Sequence, residues 1–138
     1  MQQISVLGLG YIGLPTAAMF ASHGVKVFGV DVNEETCRII NNGGVHIEEP
    51  HLGDIIKEQV ARGMITCSKE VQPADAFLIA VPTPITEEKT ADLSYVISAG
   101  KSIAKVLKHG DLVVLESTVS RRCTLDVLLP VLEESGLK

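Results

Sequence analysis

Residues 8 to 13 read GLGYIG, set between the apolar run ISVL and the segment LPTAAMFASHG. Three glycines in six residues, after a β-rich run and before a helical pattern, restrict the chain to folds in which a buried strand turns sharply into a helix. Residues 4 to 7 are mostly apolar, which suits a strand covered on both faces. From Ile12 the positions Ile12, Thr16, Met19 and Phe20 recur at helical spacing and predict the helix's apolar face, with Gly24 as its stop. Residues 25 to 30 predict a second strand closed by Asp31. Asn33 is placed to cap a helix through residue 40, ended by Asn42 and Gly43.

The remaining chain repeats this alternation. A helix is predicted over residues 52 to 62, a strand over 64 to 67 and a buried strand over 76 to 81, stopped by the PTP at 82 to 84. A helix follows from Asp92, with Val96, Ile97, Gly100, Ile103, Ala104 and Leu107 on one face. A fifth strand at 111 to 115 and a helix over 124 to 134 complete the series. Parallel strands need crossover connections, so the pattern predicts an α/β fold: a Rossmann-type doubly wound parallel sheet with helices on both faces. Such sheets commonly carry a sixth strand, so residues 1 to 138 are read as one domain truncated before its last strand.

Composition narrows the ligand class. The 138 residues are 46% hydrophobic, enough for a real core, and carry a formal net charge of -5 with no basic run. That balance argues against a nucleic-acid or anionic-membrane surface and favours a small soluble ligand. No apolar stretch is long enough to span a bilayer and no signal-peptide pattern opens the chain, so a cytoplasmic protein is expected. Cys37, Cys67 and Cys123 and the four scattered histidines have neither disulfide nor metal-ligand spacing, and no metal site is expected.

In a dinucleotide-binding turn the first glycine permits the bend, the second lets the pyrophosphate approach the backbone, and the third lets helix pack on strand. Gly8, Gly10 and Gly13 fit these roles in order. The start of the following helix then offers free amides and its positive dipole end to the phosphates. No GKT or GKS follows, which excludes a Walker-type loop. An acid about 20 positions on should take the ribose hydroxyls, and Asp31 stands there. Asp31 would repel a 2′-phosphate, and residues 32 to 36 (VNEET) add acids and no base. NAD is favoured over NADP, while the glycines alone suit FAD equally.

Five stretches carry a resemblance across essentially the whole chain: GLGYIGLPTA at 8 to 17, GVD at 29 to 31, HIEEPHL at 46 to 52, ADAFLIAVPTP at 74 to 84 and ESTV at 116 to 119. Together they resemble the NAD-binding N-terminal domain of the nucleotide-sugar 6-dehydrogenases, the UDP-glucose and GDP-mannose dehydrogenase family, and look most like its UDP-N-acetylmannosamine branch. The resemblance implies NAD contacts at Tyr11 and Ile12 in the glycine turn, at Asp31, at Thr83, at Thr118 and at Thr124. Thr118 would also help organise the reacting centre. Plainer readings stand beside these: turn hydroxyls bonding local backbone for Thr83 and Thr118, and helix capping for Thr124.

The resemblance further implies a two-step oxidation of a sugar C6 alcohol to a carboxylate with two NAD, through a thioester on a cysteine of a later domain. Cys123 is therefore not read as the nucleophile, and Glu116, Glu48 and Glu49 are read as structural or solvated acids. The sugar would be held by the absent domain, the full-length protein would be a homo-oligomer, and this chain alone would bind NAD without turnover. One departure is VSRRCT at 119 to 124, where the family continues EST with proline and glycine. Two other readings remain: a non-catalytic NAD-responsive module, and a dehydrogenase of the 6-phosphogluconate or 3-hydroxyacyl type.

Overall fold

The computed structural model describes residues 3–47, 50–82, 84, 87–88, 92–116 and 127–136. Its strands are β1 (Gln3–Leu7), β2 (Lys26–Val30), β3 (Ile65–Ser68), β4 (Ala76–Ile79) and β5 (Leu112–Leu115), and its helices are α1 (Gly13–Ser22), α2 (Glu34–Asn41), α3 (Leu52–Ala61), α4 (Ser94–Ala104) and α5 (Leu129–Leu132). The strands form one sheet in the order β3-β2-β1-β4-β5. All four pairings are parallel. This is the doubly wound sheet expected from the alternation, with β1 at its centre.

Two apolar layers sandwich the sheet, and strand alternation sorts residues between them. Ile4 and Val6 of β1, with Ala76 and Leu78 of β4, pack with residues of α1, α2 and α3. Phe77 and Ile79 of β4 face the opposite way, against Val96 and Ile103 of α4 and Leu128. Each such fully buried large side chain contributes roughly 1.5–3 kcal/mol relative to exposure. The edge strand β5 is less covered, and Leu112 is half exposed.

The buried face of α1 differs from the one the sequence predicts. Ile12 and Met19 are half exposed, whereas Gly13, Leu14, Ala17, Ala18 and Ala21 are buried. Small residues let the helix approach the sheet closely beside the fully buried Leu14, while Ile12 and Met19 are turned outward and Phe20 packs at the margin of the core. Element ends move slightly: β4 stops at Ile79 rather than Val81, α4 starts at Ser94 rather than Asp92, and β3 runs one residue later than read. The described part of the last helix is α5 followed by a 3-10 turn, Glu133–Ser135, and residues 124 to 126 lie outside the described residues.

Asn33 caps α2 as the sequence predicts, its Oδ1 accepting from the Glu35 and Thr36 amides. The far end of α2 is tied to β3 by Asn41, whose amide group donates to the Cys67 carbonyl at 2.9 Å and accepts from the Cys67 N–H at 2.8 Å. Cys37 and Cys67 are both buried free thiols. Burial, followed by the neighbouring Cys37, pushes the Cys67 thiol far above its ordinary range. Among the described residues no helix is long and apolar enough to cross a membrane, and no group of three or more His, Cys, Asp or Glu gathers to hold a metal.

Candidate functional site

β1 pairs with β2 on one side and β4 on the other, and the chain leaves β1 for a helix on one face and β4 for a helix on the other. This is the topological switch point, where open α/β sheets bind ligands outside the carboxyl ends of their strands. A cavity of about 580 Å³ lies there. The glycine turn lines it from Gly8 to Ile12, and the end of β2 adds Val30, Asp31 and Val32. Ala80, Val81 and Pro82 after β4, and Tyr95, Ser98 and Ser102 of α4, form the opposite wall.

The three glycines have three different physical reasons. Gly8 takes a positive φ of 92°, and a Cβ there would meet the Ala80 carbonyl oxygen at 2.6 Å. A Cβ on Gly13 would lie 1.7 Å from the Gly8 oxygen. Gly10 is the contrast, because a Cβ there would meet nothing within 4 Å. Gly8 and Gly13 are thus demanded by the fold. Gly10 leaves open space on the cavity wall, where a ligand can reach the backbone.

The start of α1 is unfilled. Its cap, Ile12, makes no side-chain capping bond, and no acid sits in its first turn. The amides and positive dipole end remain for an anion. Tyr11 is 68% exposed at this turn, so its side chain and that of half-exposed Ile12 are not spent on packing.

Asp31 follows β2 and is held on three sides. Its N–H donates to the Ser68 carbonyl at 3.1 Å, one carboxylate oxygen accepts from Leu9 N–H at 3.0 Å, and the other from Asn33 N–H at 3.0 Å. A carboxylate offers about four acceptor positions, so two backbone bonds leave capacity for ribose hydroxyls. The donor set fits a dinucleotide: bare amides for phosphates, a fixed acid for the ribose, and an apolar floor. Gly8, Gly10, Tyr11, Ile12 and Asp31 come together on this cavity, and Gly13 packs beneath it. Thr83, Thr118, Thr124 and Cys123 lie outside the described residues.

Residues 2–138 match the NAD-binding domain of the UDP-glucose/GDP-mannose dehydrogenase family. The chain belongs to this family. Relatives within the UDP-glucose/GDP-mannose dehydrogenase group include the UDP-N-acetyl-D-mannosamine dehydrogenase of Yersinia pestis, 56% identical over 117 residues that make up 85% of this chain and 28% of that protein. The NDP-N-acetyl-D-galactosaminuronic acid dehydrogenase of Ralstonia nicotianae is 55% identical over 115 residues, 83% of this chain and 27% of that one. Among solved structures, the UDP-N-acetyl-mannosamine dehydrogenase of Staphylococcus aureus superposes with a TM-score of 0.94 at 41% identity, covering 99% of this chain and 34% of that one. The chain therefore spans between a quarter and about a third of the length of these relatives.

Several cavity residues were not singled out by the sequence reading. Lys69 and Val71 follow β3, His46 precedes α3, and Tyr95, Ser98 and Ser102 recur at helical spacing along α4. The α4 spacing was legible as a polar stripe beside the apolar one. Lys69 and His46 reach the site only through tertiary packing. Glu116, directly after β5, has one buried carboxylate oxygen with no hydrogen-bond partner among the described residues, and it does not line the cavity.

Proposed function

We propose that this chain is the cofactor-binding part of a nucleotide-sugar 6-dehydrogenase of the UDP-N-acetylmannosamine type. The observation that carries the site assignment is the pairing of an unfilled α1 N-terminus at Gly10 with the backbone-anchored carboxylate of Asp31 across one cavity. The relatives support the substrate class, since those from Yersinia pestis and Staphylococcus aureus are both named for UDP-N-acetylmannosamine. The overall conversion is a C6 alcohol with water and two NAD+ to a carboxylate, two NADH and three protons.

The residues present divide the work. The amides at Gly10 to Ile12 hold the pyrophosphate, Asp31 bonds the ribose, and Val32 and Val71 give apolar cover to the adenosine end. Ala80, Val81 and Pro82, with α4, wall the other end and keep water from it. NAD, when bound, supplies the hydride acceptor. Thr83, Thr118 and Thr124 are proposed as further cofactor contacts, with Thr118 also helping to organise the reacting centre. Among the described residues no cysteine lines the cavity. The chain by itself is therefore proposed to bind cofactor without oxidising sugar.

Calorimetric titration with NAD and with NADP tests the reading. A sub-millimolar Kd for NAD, about -4 kcal/mol or better, with much weaker NADP, is the expected result. A folded chain that takes up neither would sink it, whereas NADH production by this chain alone with UDP-N-acetylmannosamine would overturn only the absence of turnover.

A further inference from the structure

α1 and α2 both begin near the cavity edge, and their N-termini are treated oppositely. That of α1 is bare. At α2 the Asn33 side chain occupies the amides of Glu35 and Thr36, and the first turn carries Glu34 and Glu35. Each of those acids in turn holds a cation. Glu35 takes the Arg38 guanidinium, with Nε to Oε2 at 2.9 Å, and Glu34 takes the Lys69 ammonium at 3.1 Å. At the α2 side of the cavity, the helix N-terminus, Arg38 and Lys69 are thus each met by an acceptor of the chain.

The Glu34–Lys69 pair spans Asp31. Asp31 bonds the backbone of Ser68, the residue before Lys69, and of Asn33, the residue before Glu34. Lys69 is also the lysine or arginine that lines the cavity among the described residues. A ribose held by Asp31 therefore stands beside an ammonium able to take a 2′-phosphate, were that ammonium not engaged.

We propose that the Glu34–Lys69 ion pair is a second cofactor-selectivity element, in which Glu34 keeps Lys69 from receiving a 2′-phosphate, so that exclusion of NADP does not rest on Asp31 alone. The inference rests on the reading that this cavity takes NAD. Both side chains are more than half exposed, at 53% and 78%, so the pair adds little to stability and can be removed without unfolding the chain.

The test is calorimetric titration of wild type, Glu34→Gln and the double variant Glu34→Gln/Lys69→Ala with NAD and with NADP, after circular dichroism has shown each to be folded. Freeing Lys69 in Glu34→Gln should raise the ratio of NADP to NAD affinity by about fivefold at low salt, a gain that shrinks toward 0.5 M salt as exposed charges are screened. The double variant should return to the wild-type ratio. A Glu34→Gln ratio within about twofold of wild type, or a gain that survives loss of Lys69, overturns the inference while leaving NAD binding intact. Failure of wild type to bind NAD overturns the cofactor reading and this inference with it.

Discussion

The Leu9 backbone N–H donates to the Asp31 carboxylate at 3.0 Å, across 22 residues of chain. The acid that closes β2 therefore holds the glycine turn that closes β1, so the proposed ribose contact and the turn geometry share one side chain. Asp31→Ala strips the acceptor from Leu9 and Asn33 together. We expect a loss of roughly 1.5–3 kcal/mol in stability and a fall of more than about tenfold in NAD affinity. Thermal melting with and without NAD reads both. An unchanged melting temperature would show that the anchoring role is wrong even if binding is lost.

The three glycines should separate by function. Gly13→Ala forces a Cβ to 1.7 Å from the Gly8 oxygen, and Gly8→Ala adds a positive φ to a 2.6 Å clash. Each should cost at least about 4 kcal/mol or prevent folding. Gly10→Ala should melt within about 0.5 kcal/mol of wild type yet lose most NAD affinity, because its methyl fills only ligand space. A Gly10→Ala chain that binds NAD normally would remove the pyrophosphate assignment.

Much of this architecture was legible because its signals are local. The strand-turn-helix around GLGYIG, the acid at residue 31 and the Asn33 cap each depend on residues close in sequence. The face of α1 was only partly legible, since of the periodic positions Phe20 packs against the core but Ile12 and Met19 do not. Hydrophobic periodicity pointed to Ile12, Thr16, Met19 and Phe20, but contact with the sheet selects Ala17, Ala18 and Ala21 for smallness. Apolar periodicity measures hydrophobicity and is blind to how closely two elements must approach. Lys69 was likewise unreadable, because its place by Asp31 follows from β3 pairing with β2, which no local pattern specifies. The expected contacts at Thr83, Thr118 and Thr124 lie outside the described residues.

His51 adopts φ 65° at the start of α3, the one non-glycine residue with a positive φ among those described. A side chain held in that region carries a steric cost that glycine does not. His51→Gly should raise stability by about 1 kcal/mol, read as a shift of the denaturation midpoint at constant slope. Destabilisation would mean the imidazole makes a compensating contact.

Burial raises the Cys67 thiol well above its ordinary value. The unfolded chain releases this proton near pH 8.5 while the folded chain retains it, so the unfolded state binds fewer protons and stability declines as pH rises beyond that point. Between pH 8 and 10 wild type should lose stability more steeply than Cys67→Ala. Alkylation at pH 8 followed by peptide mapping should leave Cys37 and Cys67 unmodified in the native chain. Rapid native labelling of either would contradict the burial.

In β1, Ile4 stands opposite Val27 on one edge and Ala76 on the other. A ribosome delivering this chain must therefore release β4 before the centre of the sheet gains its second neighbour, and entropic loop closure makes that pairing the slow kind. The crevice between β1 and β4 does not exist before then, so NAD has nothing to recognise in a half-made chain. We expect its effect to come at the end, as mass action on a finished sheet. Free NAD at about 100 times its Kd would add roughly 2.7 kcal/mol to the native state and lengthen its survival against proteases that attack the opened form.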